Sequence, residues 1–132
     1  MRDEDKRALS KVRLDRAEEC LKEAQSLYDA ESYKGAANRL YYSIFHAMRA
    51  VLALDGVDMK HHSGVISEFR RRYIKTGKLD VKLSQIISRL SEMRTGSDYD
   101  DFYILSKKSI VEQFENAQFF IDTVQKLFEE MN

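Results

Sequence analysis

Apolar positions recur at three- and four-residue spacing along almost the whole chain, the period of an amphipathic α-helix. Leu14, Ala17, Leu21, Ala24 and Tyr28 form one such stripe and predict a first helix over about residues 6–30. Ala37, Leu40, Tyr41, Ile44, Phe45, Met48, Val51 and Leu52 form a second, with Ser32 as its N-cap and Asp55-Gly56 at its end. A polar loop carrying Lys60-His61-His62 then leads to a shorter third helix, with Val65 or Ile66, Phe69 and Tyr73 facing inward. Thr76-Gly77-Lys78 breaks that helix, and Asp80 opens a fourth with core positions Leu83, Ile86, Ile87, Leu90 and Met93. Ile110, Phe114, Ala117, Ile121, Val124 and Phe128 mark a long last helix by alternating steps of four and three, the seam of a bundle. The connections are short, so sequential helices are expected to be antiparallel neighbours.

Composition sharpens this to an all-α chain. There is no proline, and four of the five glycines (Gly56, Gly64, Gly77, Gly96) are expected between helices as punctuation. The 132 residues fit a single domain, 1–132, large enough to bury a core. Basic and acidic side chains balance at 22 each, whereas a DNA-coating protein carries a basic excess. The charges are nevertheless segregated. Residues 60–82 hold seven basic side chains against Glu68 and Asp80, and residues 92–101 hold four acids against Arg94. Opposed patches of this kind suit a specific partner. A lone Cys20, a charged N-terminus and the lack of a run of ~20 apolar residues point to a cytoplasmic protein with no membrane segment.

Chemistry concentrates in Ser91-Glu92-Met93-Arg94-Thr95-Gly96-Ser97-Asp98-Tyr99-Asp100-Asp101, where a helical pattern meets a glycine. Arg94 is expected on the last turn of that helix, beside the acceptors and phenol of Asp98 and Tyr99. A cation so placed is an anion-handling or interface site. On the second helix, Asn38, Arg39, Tyr42, His46, Arg49 and Ala53 form a polar stripe without an acid. It fits contact with another helix, a partner or an anion, and equally a half-buried Tyr42 and His46 with arginines reaching solvent. His61 and His62 are adjacent and point in different directions, so they suit a loop or helix-start role. Cys20 falls off the first helix's main stripe and has no local activator. Metal-ligand spacing, a phosphate-binding loop and a nucleophile elbow are absent, so neither a metal nor a cofactor is assigned.

Four segments carry a family resemblance. Ala36-Ala37-Asn38-Arg39-Leu40-Tyr41-Tyr42-Ser43-Ile44-Phe45-His46-Ala47, His62-Ser63-Gly64-Val65-Ile66 through Phe69, Arg94 through Tyr99, and Ala117 to Ile121 together resemble the small stand-alone branch of the HEPN domain family. The resemblance spans roughly residues 10–130. It implies a four- to five-helix up-and-down antiparallel bundle, often a homodimer. Active members are metal-independent ribonucleases, frequently toxins encoded beside a small nucleotidyltransferase antitoxin. Their site is an arginine followed after four to six residues by a histidine, completed across the dimer.

Arg94 matches that arginine, but Tyr99 stands where the histidine is expected, and no histidine follows His62. The leading expectation takes Arg94, Asp98 and Tyr99 as the polar, catalytic centre, with Arg39, Tyr42, His46 and Arg49 as secondary, binding contributors. His46 replaces the missing base if the second helix faces Arg94. Three functions follow: a toxin-like ribonuclease or RNA-associated module, a non-catalytic binding or dimerisation module, and a nucleotide-binding module using Arg39, Arg49 and Arg94.

Overall fold

The second helix is apolar around most of its circumference, and such a helix is stable only when surrounded by others. The computed structural model describes residues 2–131 and gives it that place. Helix α1 spans Asp3–Asp29, α2 Tyr33–Leu54, α3 His62–Phe69, α4 Lys82–Tyr99 and α5 Lys107–Glu130, and α3 continues into a π-helical turn at Arg70–Ile74. Among the described residues there is no strand. Helix α2 packs against all four others, most extensively against α1. Its buried side chains include Ala36, Ala37, Leu40, Tyr41, Ile44, Met48, Ala50 and Leu52. The small residues among them let neighbouring backbones come close.

The bundle is antiparallel where its ends can be traced. Arg7 near the start of α1 donates to Phe128 O at the end of α5 at 3.0 Å, and Tyr28 at the other end of α1 meets Phe114 edge-on at 5.7 Å. The core of α4 is Leu83, Ile86, Ile87, Leu90 and Met93, as the apolar spacing predicts. Phe120 adds to the expected seam of α5, while Phe114 is only partly buried.

Local signals were displaced by packing at several points. Gly56 and Gly77 end their helices with φ of +77° and +75°, a region that favours glycine. Gly96, by contrast, lies inside α4, which runs on to Tyr99. Its lack of a side chain makes room for Tyr103, whose ring carbons lie 2.5 Å from where a Cβ would stand. Gly64 likewise sits within α3. Ser32 occupies the N-cap position of α2 with no side-chain cap bond. Its N–H instead donates to Leu27 O at 2.8 Å, closing α1. Cys20 is fully buried, correcting its expected place off the stripe: α1 turns Ser10, Arg13, Leu14, Ala17, Cys20 and Ala24 inward, leaving Leu21 and Tyr28 half-buried.

Candidate functional site

Burial of Leu90 and Met93 orients α4 so that Arg94 lies at the margin of the core, against α2. With α4 extending to Tyr99, Arg94 stands more than a turn from the helix end, not on its last turn. Its guanidinium carbon lies 5.0 Å from the ring centre of Tyr41 and 5.5 Å from that of Tyr42. A cation over aromatic faces is held by their negative quadrupole. The side chain is 21% exposed, and its Nε approaches Asp98 Oδ2 at 3.6 Å, an ion-pair distance too long for a good hydrogen bond. That Nε is buried and has no hydrogen-bond partner among the described residues. A fixed guanidinium with unused donors at a partly open edge is equipped to receive an anion.

A histidine completes this surface, and it comes from α3. His62, the first residue of that helix, stacks on Phe45 with ring centres 4.3 Å apart and meets Tyr42 edge-on at 5.5 Å. Its Nδ1 is 2.8 Å from the hydroxyl of Tyr41. Burial pushes the Tyr41 phenol up to about 12, opposed by Arg94, so the hydroxyl keeps its proton. Burial, followed by the Arg94 charge, lowers the pKa of His62, which is neutral at neutral pH. The sequence shows His62 starting its helix, as it does. What it hides is the pairing with Tyr41 across 20 intervening residues. The one available signal was that the His62-Ser63-Gly64 segment belongs to the same family pattern as the second helix.

The α2 stripe divides. Tyr42 joins the Arg94 surface and also carries Arg39, whose guanidinium carbon lies 4.9 Å from its ring centre. Arg39 is bound by Asn38 Oδ1 at 2.6 Å and approaches Glu23 at 3.9 Å. Arg49 pairs with Asp58 at 3.2 Å, and the same carboxylate accepts from the buried Arg13 at 2.6 Å. The expectation that these arginines lack nearby acids is therefore corrected. The acids come from α1 and from the loop after α2, where a single-helix reading cannot see them. Ala53 is buried. His46 is held down to about 4 by burial and by Arg16, Arg49, Arg39 and Arg13. Tyr42 lies 6.1 Å from His46 by ring centres, so α2 does face Arg94 but presents its tyrosines there first.

Asp98 stays with Arg94, while Tyr99 is 77% exposed. Tyr99 lines a shallow cleft on the adjoining face of α4 with Ser91, Thr95, Gly96 and Tyr103. The exposed Phe102 and Ile104 follow in the next loop.

Comparison with known proteins accords with this architecture. The family model described as HEPN domain matches residues 10–131. A protein of Thermotoga maritima named "UPF0332 protein" is 34% identical over 116 residues, 88% of this chain and 88% of that protein. Two proteins of Methanocaldococcus jannaschii are also similar. "Putative toxin MJ0142" is 33% identical, covering 92% of this chain and 82% of that protein. "Putative toxin MJ0605" is 30% identical, covering 87% and 85%.

Proposed function

Because the chain belongs to the HEPN domain family, we propose that it is a toxin-like module that acts on RNA without a metal ion, at a site centred on Arg94. The observation that carries this reading is the Arg94 guanidinium, pinned against Tyr41 and Tyr42 with its Nε turned to Asp98 and its terminal nitrogens making no hydrogen bond among the described residues. A phosphodiester can engage those terminal nitrogens, and its oxygens gain negative charge as the phosphorane forms. Stabilisation that grows towards the transition state is what accelerates a reaction. Asp98 holds the guanidinium from below, and Arg39 and Tyr42 extend the surface along α2 to bind the strand. His46 and Arg49 support that surface from the next turn. The names of the M. jannaschii relatives support the toxin part of the reading.

A toxin of this kind works as a homodimer under the control of a small nucleotidyltransferase antitoxin. Tyr99, Phe102 and Ile104, which are 77%, 90% and 89% exposed, support a protein contact at the Arg94 end of α4. Large apolar side chains gathered in solvent mark interaction surfaces. They also favour a second reading, a non-catalytic dimerisation module in which the Arg94–Asp98 pair is structural.

The two readings separate in one assay. Purified protein is incubated with labelled single-stranded RNA in EDTA, beside an Arg94→Ala variant of unchanged thermal stability. Chelator-resistant cleavage that drops by about 10²–10³ in the variant supports the ribonuclease. Absence of cleavage at high protein concentration, or equal cleavage by the variant, sinks it.

A further inference from the structure

Two polar side chains reach the Tyr41–Tyr42 pair from outside α2: Arg94 from α4 and His62 from the start of α3. The guanidinium carbon is 5.0 Å and 5.5 Å from the two phenol ring centres, and the imidazole centre is 5.6 Å and 5.5 Å from them. The cation and the imidazole thus reach the same two rings, and the Arg94 charge acts on His62, although 31 intervening residues separate them in the chain. We propose that His62 is the proton-transfer residue of this site, its Nε2 taking the 2′-hydroxyl proton of an RNA phosphodiester whose charge Arg94 holds. The assignment rests on the RNA-cleaving reading above and fills the place left empty where no histidine follows Arg94.

Geometry fixes the ring. Phe45 stacks on one face, 19° from parallel, and Tyr41 holds Nδ1 through its hydroxyl at 2.8 Å. Nε2 has no hydrogen-bond partner among the described residues, and the residue is only half-buried, so this nitrogen is open to a ligand. In the reactive tautomer Nδ1–H donates to Tyr41 Oη and the Nε2 lone pair is free. The reaction then balances. The 2′-oxygen bonds to phosphorus as its proton passes to Nε2, the bond from phosphorus to the 5′-oxygen breaks with its electron pair on that oxygen, and the oxygen takes a proton from solvent. The products are a 2′,3′-cyclic phosphate and a 5′-hydroxyl, and the imidazolium returns its proton to water.

Electrostatics favour this order of events. The groups facing His62 are Tyr41 and Tyr42 from α2 and Arg94, backed by Asp98, from α4. With burial around it and the Arg94 charge acting on it, the free imidazole stays neutral and able to accept a proton. An imidazolium next to Arg94 is favourable only once a phosphate lies between the two cations. Neither other histidine fits. His61 is exposed at the N-cap position of α3, and His46 lies among Arg13, Arg16, Arg39 and Arg49, where burial and their charges hold it down to about 4. Tyr41 is a positioning residue, since it holds Nδ1 at 2.8 Å and touches no substrate.

The test uses full-length protein and a fluorescent mixed-sequence single-stranded RNA in EDTA. His62→Asn is expected to keep RNA binding by anisotropy while cleavage falls by about 10²–10⁴. The acidic limb of its kcat/KM profile disappears, and added imidazole partly restores His62→Ala. Tyr41→Phe, which removes the acceptor for Nδ1–H, moves that limb to lower pH with a smaller loss of rate. Cleavage by both His62 variants within a few-fold of wild type overturns the assignment and leaves the ribonuclease reading standing. So does a loss that imidazole does not rescue and that leaves the acidic limb in place. A wild-type protein that binds the RNA but never cuts it removes the ribonuclease reading, and this assignment with it.

Discussion

Arginines from two helices surround His46, and the consequence is a dependence of stability on pH. The folded protein holds this imidazole at about 4, against 6.5 for an unperturbed group, through burial and the charges of Arg16, Arg49, Arg39 and Arg13. Between these two values the unfolded chain binds a proton that the folded chain refuses. Stability is therefore full above pH 6.5 and falls as the pH drops towards 4. Urea unfolding at pH 7 and pH 5 should show a loss on the order of 1–2 kcal/mol from this group. His46→Asn should flatten that difference without abolishing it, because the lowered pKa of His62 acts in the same direction. An undiminished loss in the variant would show that His46 is not the source. The same comparison of environments separates the two histidines that border Tyr42. His46 faces guanidiniums, and His62 has a phenol on one nitrogen and an opening at the other.

At the scale of the element, α4 and its following loop are coupled through a single glycine. In an isolated helix Gly96→Ala gains about 0.5–1 kcal/mol, since glycine loses more backbone entropy on ordering. Here the new methyl meets the Tyr103 ring, with its nearest carbons 2.5 Å from the Cβ position. The ring must leave, and its packing on α4 is lost. Gly96→Ala is expected to be neutral or to destabilise by about 1 kcal/mol in the wild type. In a Tyr103→Ala background it should instead stabilise by about 0.5–1 kcal/mol. A double-mutant cycle read by chemical denaturation measures that coupling, and additivity of the two changes would rule it out. The cleft that Tyr99 lines should change along with Tyr103, because both residues border it.

For the whole molecule, the question is what covers the apolar loop at the Arg94 end of α4. None of the described helices is long and apolar enough to cross a membrane, so a lipid-spanning role is not among the readings of these helices. Phe102 is 90% exposed and touches the core nowhere, so Phe102→Glu should leave the melting temperature within about a degree. If the loop is the contact between two copies, sedimentation velocity should show the variant shifting from dimer to monomer at equal concentration. A dimer that persists in Phe102→Glu and Ile104→Glu places the homodimer contact elsewhere. Chelator-resistant cleavage lost together with the dimer would tie the site to a composite of two chains.

Much of this architecture was legible in the order of residues. The apolar spacing of Leu83, Ile86, Ile87, Leu90 and Met93 reports one face of a helix because the period of the helix is set by the backbone alone. Gly56 and Gly77 mark stops because a positive φ suits glycine wherever it occurs. Arg94 and Asp98 were legible as a pair because they are one helical turn apart. What needed the folded chain was every relation between helices. Gly96 resembles a helix stop until Tyr103 is seen lying on it. The arginines of α2 read as unopposed until Glu23 and Asp58 arrive from other elements. His62 reads as a loop or helix-start histidine until α3 carries it to Tyr41, against whose ring Arg94 also lies. Local periodicity belongs to each segment and is written in it. The approach of a guanidinium and an imidazole to the same tyrosine pair is set by burial of the helix faces that carry them, and only the packed bundle decides that.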